Sequence, residues 1–442
     1  MKIEFVNHAS VKIYTADAVI LTDPWYDGSV FNDGWDLLVS GPNDLDALLG
    51  DVSHIWVSHE HPDHFSPAFF SRISASHKDK LTVLFQETRD RRVAEFIEKK
   101  GFRLEEMPDG NIQKIGQTTE LICGKSGFYD SYLYVSDGDK SLLNLNDCPM
   151  SDESELLKLK DKVGTVDVLL TQFSYAAWKG GRDNQAFRDA AARDKLTTMA
   201  TQATVLSAKA IIPFASYVYF SNEENDYLNR GINTPDEVIA DQSRHGAEIV
   251  VMQPGELWEV GASHDNEPPL AFWRGQYETV PTRPRRKPVA SIPVDELKTA
   301  FQAYRAQVFK DNSYSIAFLA RHNPVLRGFL PVRILLTDLD TVVEVSVMDG
   351  FDVVQGDHDV SMHSSSLKFI FDNSFGFDTL TVNGRFEASA DGFSKLTRSF
   401  AIGSLNGMGI TLGYATIFRA DLILKLLSLL FRVQKRLKPQ SS

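Results

Sequence analysis

The chain has 442 residues, more than one ordinary core accommodates, and its 43% hydrophobic and 24% charged residues mark two folded domains rather than a disordered chain. A net charge of −13 repels phosphate backbones and excludes nucleic acid as the main partner. Two cysteines, Cys123 and Cys148, and an opening MKIEFVNHAS that enters a strand pattern directly lead to the expectation of a cytoplasmic protein.

In chain order, the first part alternates short strands and helices. KIEFVNHASVKIYT, AVILTDPW, HIWVSHEH and LTVLFQ are apolar runs of strand length that close on polar or Gly/Pro punctuation; SLLNLNDC, DVLLTQFS, AKAIIPFA and AEIVVMQP follow the same pattern further on. Helices are predicted over 89–101, with Gly101 at the stop, and over Asp183 to Lys209. Strands that each end in a polar cluster predict an α/β layered fold with its site at the strand ends. The Pro- and Arg-rich stretch 277–297 reads as an extended, solvated linker, dividing the chain into a domain at 1–276 and a smaller α+β domain at 298–442. Within the second domain, 330–350 alternates as paired strands, and His358 and His363 read as solvated turn or strand residues.

The densest cluster of donors is SHEHPDHFS at 58–66. Alternation along an extended SHEH puts His59 and His61 on one side, where both imidazoles reach one cation. Pro62 favours a sharp turn, after which Asp63 and His64 are placed to reach a second cation. Glu60 lies in a spacer position and reads as a supporting residue. A dinuclear site normally has a bridging carboxylate, and LNLNDC offers Asp147 directly after an apolar strand. Asp23, at the end of another strand, fits a residue that orients a ligand histidine through a hydrogen bond. Trp25, Tyr26 and Trp35 are candidates for the pocket wall.

The HxHxDH spacing resembles the signature of the metallo-β-lactamase superfamily, which implies an αββα sandwich with one or two metal ions. VNHA (6–9), ILTDPWYDGSVFNDGWDLL (20–38), SHEHPDHFS, LNLNDC and IIPFASYVYFSNEEND (211–226) together resemble the catalytic region of the CMP-N-acetylneuraminic acid hydroxylases. That resemblance implies a non-haem iron oxygenase fed by an iron–sulfur Rieske domain. Two cysteines without paired histidines do not supply such a cluster, so electrons are expected from a separate partner protein. Two positions depart from the family. Ser126 stands where a histidine is expected, with Asp130 nearby, and Asn222 stands where a second is expected, followed by Glu223 and Glu224. Oxygen donors beside both gaps shift the preference toward iron, with manganese or zinc as alternatives. His8 matches a family position near the metal pocket, where it serves as ligand, substrate contact or buried core residue.

In the second domain, 367–389 resembles the sterol-carrier-protein fold weakly, and 419–438 is predicted as an amphipathic helix too short and too interrupted to span a bilayer. It packs in a core, joins two copies of the chain or docks on a lipid-like surface. Three functions are open to these residues: an iron-dependent monooxygenase acting on a small polar molecule in biosynthesis, a hydrolase (phosphodiesterase or lactonase) using metal-activated water, and a binding module with a vestigial metal site.

Overall fold

The computed structural model describes residues 1–414 apart from Phe128, Val325 and Met408. Two seven-stranded sheets form its first part. In the first, Leu257–Glu259, Lys2–Asn7, Ser10–Tyr14 and Val19–Thr22 pair antiparallel, and His54–Val57, Thr82–Gln86 and Arg103–Met107 extend it in parallel. In the second, Glu248–Ile249, Ala210–Phe214, Val168–Gln172 and Ser141–Asn146 are parallel. Asp130–Ser136, Thr119–Ser126 and Ile112–Ile115 continue it as an antiparallel meander.

Side-chain alternation builds the layers. Ile20, Trp56 and Leu84 point into the core between the sheets, where Leu133, Leu143 and Leu169 of the second sheet meet them. Their strand neighbours Leu21, Ile55, Val57, Val83 and Phe85 point the other way, onto Phe69, Phe70 and Ile97 of the helices Pro67–Arg72 and Arg92–Lys99. Both faces of the central strands are therefore buried, which is why they read as continuous apolar runs. The expected αββα sandwich is the observed fold.

The helix predicted over 89–101 is Arg92–Lys99, ended by Gly101 at φ +83°, and the longer one is Gln185–Leu206, started by Asn184 Oδ1 accepting from the Phe187 N–H at 3.2 Å. Strands within 103–136 had no counterpart in the sequence reading. Arg103–Met107 (RLEEM) and Ile112–Ile115 (IQKI) lie at sheet edges, where exposed residues such as Arg103, Glu105 and Lys114 break the apolar pattern.

A five-stranded sheet in the order Gly350–Val354, Thr341–Ser346, Val332–Leu336, Val360–Met362, Glu387–Ala388 forms the second domain. The helices Val294–Asp311, Ser364–Asp372 and Ala390–Gly407 cover it over a core that includes Phe301, Leu367, Ile370, Leu396 and Phe400. His363 is buried and caps the second of these helices, its Nδ1 accepting from the Ser365 N–H at 3.1 Å, so it is not solvated. The helix expected at 419–438 lies outside the described residues. Among those described, no helix is long and apolar enough to cross a membrane.

The stretch between the domains is docked rather than free. Arg286 pairs with Asp36 through two contacts of 2.9 Å, and its backbone bonds to Ser221 and Glu223 beside the small sheet Trp35–Leu37/Val218–Phe220. The helix Glu267–Thr279 also runs three residues past the expected boundary at 276. Further contact comes from Trp178, which leaves the first domain to pack in the core of the second, 4.9 Å from the Phe386 ring and 4.6 Å from Phe393. Trp178→Ala is expected to cost about 3–5 kcal/mol in denaturant unfolding. A loss below about 1 kcal/mol would show that this ring does not hold the domains together.

Candidate metal centre

Five strands of the sandwich deliver polar residues to one end. His8 follows Lys2–Asn7, Asp23 follows Val19–Thr22, His59 lies just past His54–Val57, Asp147 follows Ser141–Asn146, and Asp130 begins its own strand. After Pro62 the chain turns as expected: the His64 N–H donates to the His61 carbonyl at 3.0 Å and that of Phe65 at 2.8 Å. Ser66 then caps the helix Pro67–Arg72. His8, Asp23 and Asn146 all have positive φ (30°, 37° and 49°) without being glycine, so three strand ends here carry strained backbone.

The donors fall into two groups: His59, His61, Asp130 and Asp147, and His8, Asp63 and His64. In the first, His59 Nε2 lies 3.7 Å from Asp130 Oδ1 and 3.9 Å from Asp147 Oδ2. In the second, Asp63 Oδ2 lies 3.6 Å from His8 Nε2 and 3.4 Å from His64 Nε2. Asp147 turns its other oxygen to the second group, Oδ1 standing 3.7 Å from His64 Nε2. Ligands of a tetrahedral ion at about 2.1 Å stand roughly 3.4 Å apart, so these spacings suit a cation. Other observations agree. Among the described residues, His8 Nδ1 and Nε2, His64 Nε2, Asp63 Oδ1 and Asp147 Oδ1 are buried without a hydrogen-bond partner. His59 Nε2 and His61 Nδ1 face each other at 2.7 Å, which requires a proton or a cation between them.

Behind the donors lies Asp23. Its Oδ1 accepts from the Ser58 N–H at 2.7 Å; its Oδ2 accepts from Ser58 Oγ at 2.8 Å, from Asn146 Nδ2 at 2.9 Å and from His64 Nδ1 at 2.9 Å. Ser58 Oγ, having given its proton to Asp23, accepts from His59 Nδ1 at 2.9 Å. Both histidines thus keep a proton on Nδ1 and turn Nε2 inward, the atom that would meet a cation. This is the orienting role expected of Asp23.

Burial dominates the electrostatics. It pushes His59 well below the ordinary histidine range, with His64 adding to the effect, and lowers His8. Burial also acts to lower His64, but the carboxylates of Asp63, Asp147 and Asp23 outweigh it and hold that imidazole well above its ordinary value. Asp130 is raised by burial and by the neighbouring Asp147.

Asp130 stands directly across the hairpin from Ser126, so a carboxylate reaches the space where Ser126 replaces an expected imidazole. Nothing comparable happens at the other gap. Asn222 is buried with its amide donating to the Asp33 carbonyl at 3.2 Å and its Oδ1 accepting from the Glu224 N–H at 3.1 Å, and Glu223 is exposed. Neither joins a donor group. Of the aromatic candidates, Trp25 sits edge-on to His8 at 5.6 Å, and Trp35 packs on Phe31, which contacts His61. Tyr26 is hydrogen-bonded to Ser10 in the core. Glu60 pairs with Arg92 at 3.1 Å. Sequence reasoning missed Tyr129 and Asp378, which line a cavity beside His61; no spacing pattern marks either.

Residues 2–182 match the family profile of the beta-lactamase superfamily domain, and the first domain has the metallo-β-lactamase fold. The resemblance to the CMP-N-acetylneuraminic acid hydroxylases is also borne out. The cytidine monophosphate-N-acetylneuraminic acid hydroxylase of Danio rerio is 23% identical over 240 residues, 51% of this chain and 39% of that protein. A protein of Mycolicibacterium smegmatis assigned by name as a Rieske 2Fe-2S iron–sulfur protein is 28% identical over 264 residues, covering 55% and 48%. The chain thus spans less than half the length of either relative. Among solved structures, the diiron beta-hydroxylase CmlA from Streptomyces venezuelae is similar with a TM-score of 0.41 at 13% identity, over 58% of this chain and 54% of that one. Isothiocyanate hydrolase from Delia radicum gut bacteria is similar with a TM-score of 0.42 at 14% identity, over 59% and 98%.

The proton on His64 links metal uptake to pH. Because its carboxylate neighbours raise the folded value, the stabilisation of the imidazolium is full below the ordinary value of 6.5 and is lost as pH rises through the raised one. A cation bound at Nε2 displaces that proton. Affinity for a divalent cation is therefore expected to rise with pH across this window with about one proton released, as read by calorimetric titration in buffers of different ionisation enthalpy. Uptake without proton release would exclude His64 as a ligand.

Proposed function

We propose that the chain is a metal-dependent oxygenase of the non-haem diiron type, hydroxylating a small molecule with electrons supplied by a separate protein. His59, His61, Asp130 and Asp147 hold one ion, His8, Asp63 and His64 the other, and Asp147 is shared. The observation that carries this reading is the placement of Asp147, whose two oxygens face one donor group each. The donor chemistry supports it: imidazoles and carboxylates without thiolate suit iron or manganese at least as well as zinc. So does the similarity to proteins named as hydroxylases over this region.

Held by these residues, iron would supply the activation of dioxygen, given reducing equivalents from the partner. The chain's own residues prepare that centre. Ser58 and Asp23 fix the ring orientation of His59 and His64 before any ion enters. The two positions differ in access: Asp130 and Asp147 are 18% and 22% exposed, whereas Asp63 and His64 are 6% and 1% exposed. Substrate therefore meets the His59/His61/Asp130/Asp147 side, and the inner group keeps its charge away from water.

Protein loaded anaerobically with ferrous iron is expected to bind two ions per chain and to consume oxygen when a chemical reductant is added. Asp147→Asn should lower that uptake by more than about 100-fold, and Asp23→Ala, which removes no ligand, should weaken metal binding by about 10- to 100-fold. Elemental analysis and an oxygen electrode read these results. Tight binding of zinc alone, with anaerobic turnover of a phosphodiester or lactone, would overturn the oxygenase reading in favour of a hydrolase using metal-activated water.

A further inference from the structure

A cavity of about 680 Å³ opens beside His61, between the metal loop and the second domain. Glu60, His61, Arg92 and Tyr129 line one side of it. The opposite wall is mostly apolar: Phe329, Phe375, Phe377, Phe393, Ile402 and Leu405, all from the second domain. Such a lining suits an apolar chain better than a nucleotide-linked sugar, most of whose hydroxyl and phosphate groups would face apolar side chains.

Four polar groups lining the cavity are buried and, among the described residues, lack a hydrogen-bond partner: the Tyr129 hydroxyl, Asp378 Oδ2, Arg398 Nε and Ser404 Oγ. They lie at different places along the cavity. The helix Ala390–Gly407 runs along it, presenting Phe393, Thr397, Ala401 and Ser404 at the spacing of one helical face. Its last residue lies beside Arg92, whose Nη2 donates to the Gly407 carbonyl at 3.4 Å and to Glu60 of the metal loop at 3.1 Å. Arg398 lies nine residues earlier on that helix, about 13 Å back along the axis. Burial and the neighbouring Arg327 both disfavour the charged form of Arg398, and the exposed Asp391 acts against them.

We propose that this cavity holds an acyl-chain molecule with an anionic head, the head bound at Arg398 and the chain laid along the phenylalanine wall toward His61. The far end of the chain then lies past the end of that helix, about 13 Å from Arg398, beside the Tyr129 hydroxyl and His61. Such a substrate belongs to the same centre as the oxygenase reading, on which delivery to His61 rests; occupancy of the cavity does not depend on it. The second domain thus supplies the binding wall and the first the chemistry.

Binding of dodecanoate and of dodecanol to the full chain, measured by displacement of a fluorescent polyene fatty acid, tests the assignment. Dodecanoate is expected to bind, with at least a tenfold loss in Ala401→Trp, which fills the cavity, and at least a tenfold loss in Arg398→Met. Arg398→Met should leave dodecanol binding unchanged, which a merely unfolded variant would not do. Unaltered melting and metal content in both variants show that the fold is intact. Failure of dodecanoate to bind, or equal binding by a folded Ala401→Trp, would overturn the proposal. If dodecanoate binds and Ala401→Trp blocks it while no oxygen is consumed, the cavity assignment stands and the oxygenase reading falls; oxygen uptake without dodecanoate binding gives the reverse.

Discussion

The arrangement at the strand ends depends on one buried carboxylate. Asp23 closes a strand of the first sheet, accepts from Ser58 and His64 on the metal loop, and accepts from Asn146 at the end of a strand in the second sheet. It therefore ties both sheets and the loop at a single point. Burial raises its carboxyl above the ordinary range, against which the His64 imidazole and the Ser58 hydrogen bonds act. The left-handed backbone at Asp23 and Asn146 is the local cost of bringing these groups together, and the four hydrogen bonds offset it.

Much of this was legible in the sequence because it depends on short-range spacing. The run HIWVSHEHPDH specifies a strand, a turn and alternating donors within a dozen residues, so the grouping of His59 with His61 and of Asp63 with His64 follows from local geometry. The buried strands were legible for a different reason, since burial on both faces removes polar interruptions. The edge strands Arg103–Met107 and Ile112–Ile115 were not, because exposed residues interrupt them. Asp130 was placed only near the gap at Ser126 by sequence, whereas the hairpin register sets it opposite that residue. Long-range contacts left still less trace. Arg286 on Asp36 and Asn383 Nδ2 on the Phe31 carbonyl join residues hundreds of positions apart, with no pattern in either partner.

Those long-range contacts determine how the second domain faces the centre. Trp178 enters its core, and Arg385 pairs with Glu224 and donates to the Asn32 carbonyl at 2.7 Å. Gly34 lies so close to Asn383 that an added Cβ would stand 2.4 Å from its side chain. An interface with this little clearance fixes orientation, since a small rotation of either domain would collide there. The wall of the cavity beside His61 is consequently held in place by residues that touch neither the metal donors nor the cavity itself.

The departures at Ser126 and Asn222 affect the two halves of the centre differently. At Ser126 a carboxylate from the facing strand enters the space, so the outer group becomes two imidazoles and two carboxylates, partly open to solvent. Near Asn222 the amide is consumed by backbone contacts that help seat Asp33 and Glu224, and the inner group is completed from the other side by His8, held on a strained strand end with both ring nitrogens unpartnered. With Asp147 facing both, each group has two imidazoles and two carboxylates, and the two differ in access: the outer one is partly open and the inner one enclosed. That asymmetry, rather than the motif they share, decides which side of the centre the neighbouring cavity serves.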